Sequence, residues 1–171
     1  MKRDFISITD LTTSEILEVI TRARQMKLAT GLVSLAGLNV ALIFEKPSLR
    51  TKVSFQVGVQ ELGGFSLYLS PEEVGLGKRE PVSDVARVLA GYVDCIVARV
   101  FSHETIQQLA CYSNVPVINA LSDMEHPCQI MSDILTISEH KGNLNGLKLA
   151  YIGDGNNVAR TLCKVIPSLG M

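Results

Sequence analysis

Short apolar segments alternate with longer amphipathic ones from residue 39 onward, and this alternation limits the chain to few folds. The apolar segments suit strands, whereas the segments between them have apolar positions at helical spacing. Strands joined by crossover helices lie parallel in a sheet covered on both faces. The sequence therefore predicts an α/β fold, a three-layer sandwich with a central parallel sheet. The predicted strands are 39–44, 65–69, 95–99 and 116–119, and the predicted helices are 13–26, 82–92, 104–112 and 127–140.

The segment from Phe44 to Lys52 joins the first strand to a helix, and this junction is a candidate anion site. Backbone amides at a helix start point out of the first turn, where the helix dipole places positive charge. Ser48 and Thr51 add hydroxyl donors, and Arg50 adds a planar cation. A phosphate group fits this arrangement. The alternative is that Ser48 only caps the helix and Arg50 is solvated, and these residues alone do not decide.

Two further polar positions follow predicted strands. Arg99 ends one strand, and His126 begins the segment His126-Pro127-Cys128-Gln129 after a turn-like stretch. Because ligands of parallel sheets gather at the carboxyl ends of strands, we expect both residues to converge with the 48–51 segment. Taken alone, a His before Pro is more often a helix-start or surface residue.

These segments, with Gly77-Lys78-Arg79-Glu80 and Gly153-Asp154-Gly155-Asn156-Asn157, resemble in their order the carbamoyltransferase family, most closely its ornithine branch. The aspartate branch has Thr at the position of Cys128 and lacks the double Asn. The resemblance covers essentially the whole chain. It implies transfer of a carbamoyl group from carbamoyl phosphate to the δ-amino group of L-ornithine, giving L-citrulline and phosphate. No cofactor or covalent intermediate is required, so positioning and electrostatics would supply the catalysis.

The resemblance implies that Ser48, Leu49, Arg50 and Thr51 bind the phosphate group, Leu49 through its backbone amide. The family usually reads Ser-Thr-Arg-Thr-Arg here, so Leu49 and Lys52 are departures. Lys52 keeps the charge but cannot reproduce the bidentate geometry of arginine.

The resemblance also implies contacts with the carbamoyl group and with ornithine. Arg99 and His126 would donate to the carbonyl oxygen with help from Thr51, which makes these three the predicted catalytic residues. Gln129 would accept from the carbamoyl NH2 group. Asn157 would contact the ornithine carboxylate or its backbone surroundings.

Lys78 and Arg79 lie in a loop whose family counterpart reaches the phosphate site of the neighbouring subunit. The resemblance therefore implies a homotrimer or an assembly of trimers. From the residues alone, the segment is equally a solvated charged loop, in which Gly75 and Gly77 permit mobility.

A polar, glycine-bearing linker follows residue 141 and suggests a domain boundary. By resemblance, residues 1–141 form a carbamoyl-phosphate-binding domain. Residues 142–171 form the first strand-turn-helix of an ornithine-binding domain, with a strand at 147–152 and a helix at 158–169. We expect a truncated chain that is inactive when isolated, because the other family segments of that domain are absent. We also expect an exposed apolar stripe of Val158, Leu162 and Val165.

Composition argues against several other classes. The net charge of −1 does not suit a nucleic-acid binder, and no apolar run approaches the ~18 to 20 residues that cross a bilayer. Four scattered cysteines and no signal-peptide core favour a reducing cytoplasm. The scattered histidines and cysteines show no metal-ligand spacing, so no metal is expected.

Three alternatives stay open. The amine could be putrescine or an acylated ornithine. The chain could be a non-catalytic carbamoyl-phosphate-binding fragment. The glycine turn at 153–158 could begin a dinucleotide fold, although the third glycine of that fingerprint is missing. The sequence also does not distinguish arginine biosynthesis from citrulline breakdown.

Overall fold

A central sheet of four parallel strands organises the protein, whose computed structural model describes residues 2–28 and 33–171. The strand order is β2-β1-β3-β4. The fourth strand extends two residues beyond its predicted end because Leu121 pairs with Arg99 after a bulge. The strands are β1 (Asn39–Phe44), β2 (Phe65–Leu69), β3 (Cys95–Arg99) and β4 (Val117–Leu121).

Helices connect successive strands and cover the sheet. They are α1 (Thr13–Leu28), α2 (Leu49–Glu61), α3 (Pro71–Val74), α4 (Val82–Leu89), α5 (His103–Tyr112), α6 (Pro127–Lys141) and α7 (Asn157–Val165), with 3-10 helices at Ile8–Asp10 and Ile166–Leu169. The α4 helix ends before the predicted residue 92, and a turn containing Gly91 follows it. The α7 helix passes into a 3-10 turn at Pro167, because proline cannot continue an α-helix. Among the described residues, no helix has the length and apolar character of a membrane span.

The alternation of side chains along β1 shows how the layers form. Ala41 and Ile43 pack with apolar residues of α4 and α5 on one face of the sheet. Val40, Leu42 and Phe44 pack on the other face, where α2 contributes Val59. Helices on both faces of a parallel sheet confirm the predicted three-layer α/β fold.

The expectation of an exposed apolar stripe on the last helix is wrong. Leu162 is 8% exposed and Val165 is 2% exposed, because both pack against a third cluster that includes Ile16 of α1 and Ile134 of α6. The α7 helix therefore shares a core with the helices that precede it.

The predicted strand at 147–152 is also wrong, since these residues form no strand. A strand needs a neighbour to satisfy its backbone groups, and none of the described strands pairs with this segment. Its side chains lie partly in solvent, and Ile152 is 98% exposed. The division into domains after residue 141 stays a prediction.

Candidate active site

The start of α2 presents donors toward the carboxyl edge of the sheet. Ser48 is the N-cap, and its Oγ accepts the backbone N–H of Thr51. The N–H groups of Leu49 and Arg50 occupy the first turn, where no intrahelical acceptor exists. The Leu49 side chain is 78% exposed and has no hydrogen-bond donor, so only the backbone N–H of this residue can bind an anion. The helix start therefore offers free amides in a positive field.

The Thr51 hydroxyl joins this helix start to β3. Its Oγ1 accepts hydrogen bonds from Ser48 Oγ at 3.0 Å and from Arg99 Nη1 at 3.4 Å. A hydroxyl has two acceptor positions and one donor, so these contacts leave the Thr51 proton available to a ligand. The structure thus brings together Ser48, Thr51 and Arg99, as expected from their places after strands.

Arg99 is held against the turn that leads into α2. Its Nε donates to the carbonyl oxygen of Lys46 at 3.2 Å, and its own carbonyl accepts the N–H of Glu45 at 2.9 Å. Partial burial lowers the pKa of the Arg99 guanidinium, which still carries its charge at neutral pH. The bond from Nε orients this cation while leaving other guanidinium N–H groups for a ligand.

His126 lies at the start of α6 as its N-cap residue, although its side chain makes no capping bond. Its Nδ1 is buried without a hydrogen-bond partner among the described residues. Burial, followed by the positive charge of Arg99, lowers the His126 pKa from 6.5 to about 4. The ring is therefore neutral at physiological pH, with one nitrogen able to donate. No hydrogen bond joins the His126 ring to Arg99 or Thr51, so the convergence of His126 with these residues stays a prediction.

The other predicted residues of the site have partners of their own. Gln129 donates from Nε2 to Asp133 Oδ1 at 2.9 Å, which leaves its amide oxygen free to accept. Asn157 begins α7, and its Nδ2 donates to the carbonyl oxygen of Ser122 at 2.7 Å. Neither side chain is hydrogen-bonded to Arg99 or Thr51.

Lys78 and Arg79 lie in an exposed turn between α3 and α4 and are not brought to the α2 start. Gly75, in a left-handed conformation, ends α3, and Leu76 pairs with Glu80 across the turn. Among the residues that the structure describes, the Arg79 side chain forms one exposed ion pair, with Glu80 at 3.5 Å. These two cations thus face solvent in the chain as described.

Sequence reasoning missed the groups that hold the site residues from a distance. The Lys46 carbonyl orients Arg99, and the Thr161 Oγ1 accepts the backbone N–H of His126 at 3.0 Å. These partners are 53 and 35 residues apart in the chain, so no local pattern marks them. Among the described residues, no group of three or more His, Cys, Asp and Glu side chains could hold a metal ion.

Cys128, two residues after His126, has a thiol that is not activated as a nucleophile at neutral pH. Burial raises the pKa of its thiol to about 12, and its Sγ donates to the carbonyl oxygen of Asn119. The donors of this edge are therefore suited to binding an anion and polarising a carbonyl, rather than to covalent catalysis.

Residues 3–139 match the sequence model of the aspartate/ornithine carbamoyltransferase carbamoyl-P binding domain. The chain therefore belongs to the aspartate/ornithine carbamoyltransferase family. This confirms the resemblance seen in the sequence.

Individual relatives in this family extend the match to the whole chain. An ornithine carbamoyltransferase of Methanocorpusculum labreanum is 50% identical over 175 residues, covering 100% of this chain and 57% of the relative. The solved structure of ornithine carbamoyltransferase from Pyrococcus furiosus is 44% identical, with a TM-score of 0.95 over 98% of this chain and 55% of that one. An N-acetyl-L-ornithine transcarbamylase is 31% identical, with a TM-score of 0.87 over 98% of this chain and 59% of that one. The chain thus spans about half the length of the curated carbamoyltransferases it matches.

Proposed function

We propose that this chain binds carbamoyl phosphate and supplies the carbamoyl-phosphate half of a site that carbamoylates the δ-amino group of L-ornithine. The main support for this proposal is the Thr51 hydroxyl, which is hydrogen-bonded both to Ser48, the N-cap of α2, and to Arg99. One ligand with a phosphate next to a carbonyl can therefore span the two groups of donors.

In this proposal the phosphate group lies at the start of α2. The phosphate oxygens accept hydrogen bonds from the backbone N–H groups of Leu49 and Arg50 and from the Thr51 hydroxyl. The Arg50 guanidinium offsets the negative charge of the phosphate. Ser48 keeps Thr51 in place through the 3.0 Å bond between their hydroxyl groups. Lys78 and Arg79 of a neighbouring subunit would complete the phosphate site in a homotrimer or an assembly of trimers.

The carbonyl oxygen would lie between Arg99 and the neutral ring of His126. The neutral ornithine amine attacks the carbonyl carbon, and negative charge develops on the carbonyl oxygen as the tetrahedral intermediate forms. Collapse of this intermediate breaks the bond to the phosphate oxygen, and the released phosphate accepts the proton that the amine nitrogen loses. Donors fixed before the reaction stabilise the oxyanion, each contributing roughly 2.7 to 4 kcal/mol when well placed.

The amine half of the site is the less constrained part of the proposal. Asn157 would contact the ornithine carboxylate with groups not used in its bond to Ser122. The 31% identical N-acetyl-L-ornithine transcarbamylase keeps an acylated ornithine as a second candidate substrate. Because this chain covers only 57% of a relative that is an ornithine carbamoyltransferase, a third possibility is that it binds carbamoyl phosphate without turnover.

Isothermal titration of the 171-residue chain with carbamoyl phosphate tests the first half of the proposal. We expect saturable binding that inorganic phosphate competes away, and at least a roughly tenfold weaker affinity in Arg50→Ala. Arg22→Ala is the matched control, since Arg22 is an exposed arginine of α1 paired only with Glu18. Equal affinities in both variants would remove the assignment of Arg50.

Citrulline formation tests the second half. The same preparation, and the complete gene product where the gene continues beyond Met171, are incubated with carbamoyl phosphate and L-ornithine, N-acetyl-L-ornithine or putrescine. We expect the carbamoylated product only with L-ornithine in a protein that holds both half-sites. Product from another amine would reassign the substrate, and binding without any product would support the non-catalytic reading.

A further inference from the structure

The loop between β4 and α6, residues 122–126, carries His126 and is attached to α7 along its length. Asn157 Nδ2 donates to the Ser122 carbonyl at 2.7 Å, and Thr161 Oγ1 accepts the His126 N–H at 3.0 Å. Lys164 Nζ forms an ion pair with Glu125 Oε1. Positions 157, 161 and 164 recur at helical spacing, so a single face of α7 makes all three contacts.

Two of these contacts each have one buried partner. Thr161 is fully buried, and besides accepting from His126 it donates to the carbonyl oxygen of Asn157. Glu125 is 2% exposed, and its carboxylate also accepts from the Ser7 hydroxyl and the Ile8 N–H. A buried carboxylate is costly without a cation and full hydrogen bonding, so Lys164 favours one placement of the loop.

The His126 ring has no comparable anchor. Its Nδ1 has no partner among the described residues, so no side-chain hydrogen bond from that atom sets the ring's direction. The direction of the ring then depends on where the backbone at the start of α6 lies. That backbone is held by Thr161 directly and by Lys164 through the neighbouring Glu125.

We propose that Thr161 and Lys164 are positioning residues, which hold the 122–126 loop so that the His126 imidazole faces Arg99 and a carbonyl bound beside it. The identity of that ligand rests on the proposed function, whereas the attachment of the loop to α7 does not. In this arrangement α7 acts on the carbamoyl-phosphate site without touching the ligand.

Two charge-balanced variants test the inference in the 171-residue chain. Thr161→Val removes the acceptor of the His126 N–H while keeping the branched shape. The double variant Glu125→Gln/Lys164→Met removes the ion pair without leaving an unpaired buried charge. The matched control is Lys27→Met/Glu139→Gln, which removes a 2.8 Å ion pair between α1 and α6 away from this loop.

The readouts are the titration of the His126 imidazole by NMR without ligand, and the affinity for carbamoyl phosphate by calorimetry. We expect the His126 pKa to rise by roughly one unit in both test variants as the ring gains solvent, and affinity to fall about fivefold or more. The control should change neither value, even where its melting temperature falls.

If both test variants keep the His126 pKa and the carbamoyl-phosphate affinity of the wild-type chain, the inference is overturned and α7 is a purely structural helix. Absence of carbamoyl-phosphate binding by the wild-type chain would instead overturn the proposed function. The ligand-free titration separates the two failures, because it reports the position of His126 whatever ligand the site takes.

Discussion

Replacing His126 with Asn should make the protein less sensitive to acid. The His126 pKa is lowered from 6.5 to about 4 by burial and by Arg99, so the unfolded chain binds this proton more readily than the folded one. Above pH 6.5 both states are neutral at this residue and stability is unaffected. As the pH falls toward 4, protonation increasingly favours the unfolded state. Asn has no charge to gain and is a good N-cap for α6.

The size of the effect follows from the two pKa values. Linkage gives a loss of about 2 kcal/mol near pH 5 relative to neutral pH, with a limit of about 3 kcal/mol at lower pH. Partial exposure of the ring reduces these values, so we expect about 1 to 2 kcal/mol near pH 5.

Urea denaturation of wild-type and His126→Asn proteins at about pH 5 and about pH 7.5 measures this difference. From about pH 7.5 to about pH 5, the free energy of unfolding of the wild-type protein should fall by about 1 to 2 kcal/mol more than that of the variant, because the other titrating groups are common to both proteins. Saturating carbamoyl phosphate should shrink this excess, since a bound dianion offsets the charge of Arg99. An equal pH dependence in the two proteins would show that His126 is not held neutral by its surroundings.

Three further outcomes are expected. Thr51→Val should weaken carbamoyl-phosphate binding about tenfold in calorimetry and lower the free energy of unfolding by about 1 kcal/mol, because it removes one ligand donor and two hydrogen bonds. The control Thr21→Val removes an exposed hydroxyl that is bonded to its own helix and should leave the affinity unchanged. Arg99→Lys should also weaken binding by about tenfold, because an ammonium cannot reproduce the guanidinium fork, and unchanged affinity would argue against a ligand contact. We expect the isolated chain to self-associate through the apolar segment 147–152, because Ile152 is 98% exposed, and Ile152→Asp should reduce this association in sedimentation velocity without changing affinity; undiminished association would place the contact elsewhere.

Much of the structure of residues 1–141 could be predicted from local sequence pattern. Three of the four strands predicted within residues 1–141 coincide with β1, β2 and β3, because each is a short apolar run bounded by polar or glycine-containing turns. The convergence of Ser48, Thr51 and Arg99 followed from the rule that parallel strands end at one edge, and the hydrogen bonds between these residues confirm it.

The predictions of a strand and of an exposed helix face within residues 147–169 are wrong, because local sequence pattern does not include what packs against a segment. The 147–152 segment has the composition of a strand but no strand beside it, and backbone pairing is what makes a strand. The apolar face of α7 was expected to be exposed, yet α1 and α6 cover Leu162 and Val165. Sequence spacing predicts which face is apolar, whereas only packing determines what covers it.

By itself, the sequence determined the α/β class, the family and the residue types of the phosphate-binding helix start, because each depends on neighbours close in the chain or on motif order. Tertiary structure alone decided that the Thr51 hydroxyl lies between Ser48 and Arg99 and that α7 holds the loop carrying His126. It also decided the protonation state of His126, since burial and the charge of Arg99 lower its pKa. These properties depend on distances between residues far apart in sequence, and such distances exist only after the sheet and helices have packed.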